Sequence, residues 1–398
     1  MAHKYEPNVN DLCIVVAEAP FFTDFQHGSH QGLTGCPDHG AMKSLAFACS
    51  GEGRGHVSRV LALSDYFNSS YRLSFWCPHT VAPLLRERYP DGDINEVPYL
   101  ELKKQNHQIH YPDTLAANSR YLFQAPQIIQ ALAEAFRHRE VTALISDFEP
   151  FSVHAATLAG IPALNLNHPG IVLKHLSLRP EALAAQTVAQ LMMPPARENL
   201  ICSFYDGDLG PILRKELREI TCVRGNYFVV YTKEDSRKRM MKALEPYENL
   251  SFQFFPDKTR NFDEALGGCR GVIAPGGHQI LSEALALGKP VLAFPQKSQY
   301  EQLLNARMLV QSGWGLQGDM DVPEEGLRRF FSDIESFPLP AQEPRRFTLK
   351  DSTEEAVARL KAFIEEAQSN PGTSRRYQFN YFTTILPEKM KQFLGTPA

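Results

Sequence analysis

Residues 275–306 read PGGHQILSEALALGKPVLAFPQKSQYEQLLNA, and the order of the pieces in this stretch decides the fold. A short β-rich run, Gly271-Val272-Ile273-Ala274, leads into the Gly276-Gly277 turn. A helix-like segment carrying Glu283 follows and stops at Gly288-Lys289-Pro290, and a second apolar strand runs from Val291 to Phe294. Polar Tyr300-Glu301-Gln302 and then Asn305-Ala306 come next. Two glycines let a backbone approach a ligand closely, and a helix N-terminus offers free N–H groups and a positive dipole end to an anion such as a diphosphate. His278 stands at that position. A carboxylate two turns into the helix, Glu283, is placed to accept hydrogen bonds from a pair of ribose hydroxyls; its plain alternative is a solvated helix face.

The same alternation extends in both directions. From about Met42, apolar strands are expected at Leu45–Cys49, Leu73–Cys77, Ile94–Val97, Ala143–Ser146, Ala163–Leu166 and Leu200–Phe204, with helices near 56–67, 80–89, 119–138 and 150–159. A second series begins at Tyr227–Tyr231 and continues through Leu250–Phe255, Gly271–Ala274 and Val291–Phe294. Alternating strands and helices predict a parallel sheet with helices on both faces, here twice in tandem. The stretch from Tyr205 to Gly225, with Asp206-Gly207-Asp208 and Gly210-Pro211, reads as an interdomain linker. Domains are therefore expected at 42–211 and 212–350, with C-terminal helices over 351–398, near 353–368 and 386–394. Residues 1–41 read as an extension outside the core, and Met42-Lys43 would serve as an alternative start.

At 398 residues, two domains with separate cores are the natural division. Hydrophobic residues make up 43% and charged residues 22%, the balance of an ordinary globular protein. A net charge of −4 gives no bulk attraction to nucleic acid. Cys13, Cys36, Cys49, Cys77, Cys202, Cys222 and Cys269 are scattered and form no C-x-x-C pair, as expected of reduced thiols in a cytoplasmic protein. No apolar run approaches the roughly 20 residues that span a bilayer, and the start of the chain has no signal-peptide core.

Two further motifs carry chemistry. Ser50-Gly51-Glu52-Gly53-Arg54-Gly55-His56-Val57-Ser58-Arg59 directly follows the first strand. A dinucleotide fingerprint would need glycine where His56 stands, and no Gly-Lys-Ser/Thr follows, so neither that fingerprint nor a P-loop is present. In the other motif, Asp147 ends the strand of Ile145-Ser146-Asp147-Phe148-Glu149-Pro150, where open α/β sheets bind ligands. His56 is either a base or a capping and packing residue. Asp147 either orients that imidazole or caps the next helix, and Glu149 is a competing base.

The ordered set at 275–306 resembles the donor site of GT-B glycosyltransferases, especially the bacterial peptidoglycan N-acetylglucosaminyltransferase and the plant UDP-glycosyltransferases. The Gly-x-Gly-His-x-x-Arg loop is similar to that of bacterial and archaeal glycosyltransferases related to the peptidoglycan enzyme. The resemblance covers roughly 43–335 and implies a GT-B fold of two doubly wound Rossmann-like domains facing a cleft, with the final helices crossing back to the first domain. It implies metal-independent, inverting transfer of a hexosyl group from a nucleotide sugar, with a UDP-sugar the expected donor, to an acceptor hydroxyl, with no cofactor. His56 and Asp147 correspond to the catalytic dyad. Gly51, Gly53, Gly55, Gly276, Gly277 and His278 correspond to donor-phosphate contacts, Glu283 to the ribose contact, and Glu301 and Gln302 to the sugar contacts. One departure is Pro275, which stands where the plant enzymes place a histidine. The acceptor, whether glycan, lipid-linked or small molecule, is not specified, although relatives that use lipid-linked sugars make peripheral membrane contact an expectation. The segment 99–118 reads as a variable lid.

Other readings stay open. A nucleotide-sugar 2-epimerase or hydrolase on the same fold would use carboxylates such as Glu149 and Glu52, and a non-catalytic nucleotide-sugar-binding protein would keep the fold without turnover. The D-x-D pairs Asp91/Asp93, Asp206/Asp208 and Asp319/Asp321 read as turn residues instead of metal ligands. His27, His30, Cys36 and His39 match no standard zinc spacing. Arg345-Arg346 reads as solvated surface, and Asn305-Ala306 as packing.

Overall fold

The computed structural model describes residues 42–369 apart from 106, 107, 110 and 233. The histidines and Cys36 of the N-terminal extension, and the helix expected at 386–394, lie outside the described residues.

Among the described residues there are thirteen strands: β1 Ser44–Cys49, β2 Arg72–Cys77, β3 Asp93–Glu96, β4 Lys104–Gln105, β5 Gln108–Ile109, β6 Val141–Asp147, β7 Ala163–Asn167, β8 Glu198–Ile201, β9 Tyr227–Tyr231, β10 Ser251–Phe255, β11 Gly271–Pro275, β12 Val291–Phe294 and β13 Gly315–Gln317. The first sheet has the order β3-β2-β1-β6-β7-β8 and the second β10-β9-β11-β12-β13; β4 and β5 form a separate hairpin. Every pairing within the two large sheets is parallel. These are two doubly wound, Rossmann-like sheets, and each strand order reverses once: between β1 and β6 in the first, between β9 and β11 in the second. At such a reversal the connecting helices leave to opposite faces and open a crevice beyond the strand ends.

The strands are continuous apolar runs because helices cover both faces. In β1, Leu45, Phe47 and Cys49 pack with the helices Gly55–Ser64 and Thr353–Ser369, while Ala46 and Ala48 pack on the opposite face with Ala125–His138 and Pro150–Ala159. The period of two in a strand makes this division automatic. In the second sheet, Val272 and Ala274 face one core and Ile273 the other. The helix Thr353–Ser369 carries Ala356, Val357, Leu360, Phe363 and Ile364 into the core of the first sheet, so the chain crosses back to the first domain as the GT-B resemblance implies.

Three local readings change. The helix expected over 119–138 is two helices, Tyr111–Phe123 and Ala125–His138, broken at Gln124 with Pro126 in the first turn of the second; a proline ring blocks continuation of the preceding helix. The eighth strand stops at Ile201 instead of running to Phe204. The stretch read as a linker is packed: Tyr205, Leu209, Ile212, Leu213 and Leu217 are buried, and Tyr205 bridges to Phe347. Its polar signals mark tight turns, with Asp206 at φ 46°.

Candidate functional site

Both strand-order reversals open onto one cleft of about 1800 Å³, lined by residues of both sheets. On the first side, β1 and β6 end level, with Cys49 opposite Asp147. The loop after β1 returns as the helix Gly55–Ser64, whose second residue is His56. His56 Nδ1 lies 2.6 Å from Asp147 Oδ1, and both side chains are buried. A contact that short to a carboxylate oxygen places the ring proton on Nδ1 and leaves Nε2 as the acceptor. Burial raises the Asp147 carboxyl, but Arg59 and then His56 outweigh it and hold the group below its ordinary value.

The helix-cap alternative falls to the neighbouring carboxylate. Glu149 is the N-cap of Pro150–Ala159, its oxygens accepting from Phe151 N at 3.0 Å and Ser152 N at 2.7 Å. Burial raises its carboxyl, which those bonds offset only in part. Glu149 is thereby committed to the helix, and Asp147 remains for the imidazole. Phe148, between them, adopts φ 61° and stacks on His56 with centroids 5.7 Å apart at 6°. A left-handed backbone at phenylalanine is uncommon and persists only where packing imposes it.

On the second side, the helix His278–Ala286 begins directly after Gly277, which has no side chain to cap it. His278 is buried, and its Nε2 accepts from Phe204 N at 3.3 Å. The proton therefore sits on Nδ1, a buried atom with no protein partner. The uncapped N-terminus of this helix suits an anion. Gly53, Gly55, Gly277, His278, Glu283, Glu301 and Gln302 all line the cleft. Gly51 and Gly276 stand behind the lining: a Cβ at Gly51 would meet Thr80 Oγ1 at 2.6 Å, and one at Gly276 the Gln302 carbonyl at 2.8 Å.

Glu283 is buried, and both of its contacts fall on Oε1, from Gln279 Nε2 at 2.8 Å and Arg214 Nε at 3.4 Å. Burial raises its carboxyl and Arg214 opposes that. Arg214 is anchored in turn by Asp263 at 2.9 and 2.6 Å. Gln302 is turned into its own loop, accepting from Gln296 N at 3.0 Å and donating to Gln299. Glu52 accepts from Tyr99 at 3.2 Å.

Sequence reading missed the residues that join the two sides. His168, after β7, stacks on His278 with centroids 3.5 Å apart. Asn305, read as packing, accepts the Tyr205 hydroxyl at 2.6 Å and donates to Gly276 O at 3.1 Å, tying the glycine turn to the first domain. Arg59 reaches Gln279 of the second domain at 3.3 Å. The arginine of the Gly-x-Gly-His-x-x-Arg loop was a signal for the last of these; nothing in the sequence marked His168.

The D-x-D carboxylates are engaged elsewhere: Asp93 with Arg139, Asp206 with Arg346, Asp208 with Lys174, and Asp319 and Asp321 with Lys297. Among the described residues no cluster of three His, Cys, Asp or Glu side chains is arranged to hold a metal ion, and no helix is long and apolar enough to cross a membrane.

Comparison with known proteins agrees with this architecture. An uncharacterized glycosyltransferase of Methanosarcina mazei is 30% identical over 119 residues, 30% of this chain and 31% of its own length. One of Methanosarcina acetivorans is 25% identical over 326 residues, 69% of this chain and 83% of the relative. The match with the first of these thus spans about a third of that relative's length. Among solved structures, Acinetobacter baumannii MurG superimposes with a TM-score of 0.51 at 15% identity, covering 80% of this chain and 99% of that one. Medicago truncatula UGT71G1, complexed with UDP-glucose, does so at 0.50 and 14% identity, covering 83% and 99%. At such identities the likeness is one of fold, the GT-B fold. The model of glycosyl transferase family 1 matches residues 43–335, which takes in both sheets and every residue of the cleft named above, and the chain belongs to that family.

Proposed function

We propose that this protein transfers a sugar from a nucleotide-sugar donor to an acceptor hydroxyl, with inversion at the anomeric carbon and without a metal ion. The observation that carries the reading is the convergence, in one cleft, of an oriented imidazole from the first sheet and an uncapped helix N-terminus from the second. His56 Nε2 takes the acceptor's hydroxyl proton as the oxygen attacks the anomeric carbon. The bond to the diphosphate breaks on the opposite face, which is what inverts the centre. Asp147 holds the ring and stabilises its charge. The leaving diphosphate is received by the N–H groups that open His278–Ala286, fixed donors at an uncapped helix N-terminus. Glu283 takes the ribose hydroxyls and Glu301 faces the sugar, while Gln302, its amide engaged by Gln296 and Gln299, holds the loop beside them.

A UDP donor is supported by the UDP-glucose complex of the Medicago truncatula neighbour. Metal independence is supported by the ion pairs that engage Asp93, Asp206, Asp208, Asp319 and Asp321, five of the six D-x-D carboxylates. The cleft exceeds the roughly 300–1,000 Å³ of a single small-ligand site, leaving room for a second substrate. Its first-domain wall includes Leu61, Leu84, Ile129, Phe151, Val188 and Leu191, apolar surface that suits an acceptor with an apolar body beside its hydroxyl. The epimerase or hydrolase reading is weakened because Glu149 serves as a helix cap.

Calorimetric titration with UDP, UDP-glucose, UDP-N-acetylglucosamine and their dTDP and GDP counterparts, with Mg²⁺ and with EDTA, tests this. The expected result is binding of one nucleotide family with the same affinity in both buffers. Affinity that vanishes in EDTA removes the metal-free mechanism, and no binding at all removes the donor site.

A further inference from the structure

Arg59 has its side chain almost wholly inside the protein and lies three residues after His56 on the same helix. That spacing puts both side chains on one helix face. Its guanidinium runs along the edge of Asp147, with Nε donating to Oδ2 at 2.7 Å and Nη2 to Oδ1 at 3.0 Å. A bidentate fork of this kind fixes the plane of a carboxylate as well as its position, which a single ammonium does not. Oδ1 is also the oxygen that receives His56 Nδ1–H, so Arg59 Nη2, 3.1 Å from that nitrogen, and the ring both donate to the same carboxylate oxygen and do not bond each other. The remaining donor, Nη1, goes to Gln279 Oε1 at 3.3 Å, and Gln279 bonds Glu283. One polar line thus runs from the imidazole on the first domain to the carboxylate on the donor helix.

We infer that Arg59 is a positioning residue. It fixes the Asp147 carboxylate so that His56 keeps its proton on Nδ1 and its lone pair on Nε2, and it ties that arrangement to the helix His278–Ala286. The inference rests on the reading of His56 as the base. A guanidinium that merely neutralised a buried carboxylate would leave the ring free to change tautomer, and a donor ligand would bind phosphate instead of Asp147.

Nitrogen-15 NMR of the full chain, labelled at histidine and held at one neutral pH, separates these cases. His56 signals are assigned by their loss in His56→Ala. In the wild type they are expected to show a protonated Nδ1 and a bare Nε2. Arg59→Lys keeps the charge but loses the fork. Arg59→Gln keeps one N–H donor and is measured beside it, so the comparison survives if either variant fails to fold. In the folded variant the His56 signature is expected to broaden or average between the two nitrogens, with His168 signals unmoved. Unmoved His56 signals overturn the inference, and so does a loss of UDP affinity beyond about tenfold with His56 unmoved, which makes Arg59 a donor ligand. The tautomer result does not depend on turnover: wild-type transfer by His56→Ala removes the base reading while leaving the NMR outcome intact.

Discussion

His168 and His278 stack face to face across the domain junction, with ring centroids 3.5 Å apart and planes within 11°. Two imidazolium rings would repel at that distance, so the stacked pair cannot carry both charges, and burial favours both rings neutral. Burial does this: it pushes His168 down to about 3, helped by the charge of Arg59, and it holds His278 well below its ordinary value. His168 Nδ1 lies 3.1 Å from the Cys202 carbonyl and Nε2 3.0 Å from Asn305 Oδ1, and a neutral ring can donate to only one of them.

A pH dependence follows. Below the ordinary histidine range the unfolded chain takes up a proton at residue 168 and the folded chain does not, so stability falls as pH falls. The window opens near the unfolded value, about 6.5, and runs down to the folded one. His168→Asn removes this group. In urea denaturation at a series of pH values, the stability of wild type relative to His168→Asn should drop by about 1.4 kcal/mol per pH unit below about 6.5. A gap that does not change with pH contradicts a neutral buried His168.

Glu283→Ala should weaken UDP binding by roughly ten- to a hundredfold, the loss expected of a carboxylate hydrogen-bonded to hydroxyls. Arg214 keeps its paired contact with Asp263, so the fold should survive, which a melting curve checks. Unchanged calorimetric affinity in a folded variant would remove Glu283 from the ribose site.

Glu149→Ala removes a buried cap with two backbone bonds and should cost about 1–2 kcal/mol of stability. Because Glu149 serves the helix, UDP affinity and turnover of the folded variant should stay at wild-type levels. A variant with normal stability and no turnover would reverse that assignment and revive the carboxylate-based chemistry.

The two glycines of the donor turn should respond differently. A Cβ at Gly276 would meet the Gln302 carbonyl at 2.8 Å, while one at Gly277 meets nothing within 4 Å. Gly276→Ala is expected to lower both melting temperature and UDP affinity. Gly277→Ala should leave melting unchanged and weaken only the ligand, since its methyl enters the space where backbone meets diphosphate. Equal UDP affinity in Gly277→Ala and wild type would place the diphosphate elsewhere.

Much of the architecture could be read from the chain because parallel sheets covered on both faces are written as uninterrupted apolar runs. Phe228-Val229-Val230 and Val272-Ile273-Ala274 are examples. The two glycine-rich turns pointed to the cleft for a local reason: a helix beginning directly after a strand exposes its N–H groups. What the sequence concealed depended on contacts between distant segments. His168 acquires its meaning from His278, 110 positions later, and Asn305 from Tyr205 and Gly276. The supposed linker misled because Asp206-Gly207-Asp208 and Gly210-Pro211 announce turns whether or not the flanking Tyr205 and Leu209 are buried. Asp147 could be read as orienter or as helix cap, and Glu149 as a competing base, until the hydrogen bonds placed the cap on Glu149 and left Asp147 beside the imidazole.

The most direct test is transfer by wild type and His56→Ala side by side in EDTA, with UDP-glucose and UDP-N-acetylglucosamine as donors and a series of long-chain alcohols as acceptors. Product is followed by mass spectrometry and its anomeric configuration by NMR. A general base at His56 predicts a β-linked product from the α-linked donor and a rate lower by roughly 10²–10⁴ in the variant, with UDP affinity kept. Equal rates for the two proteins, or an α-linked product, would contradict it.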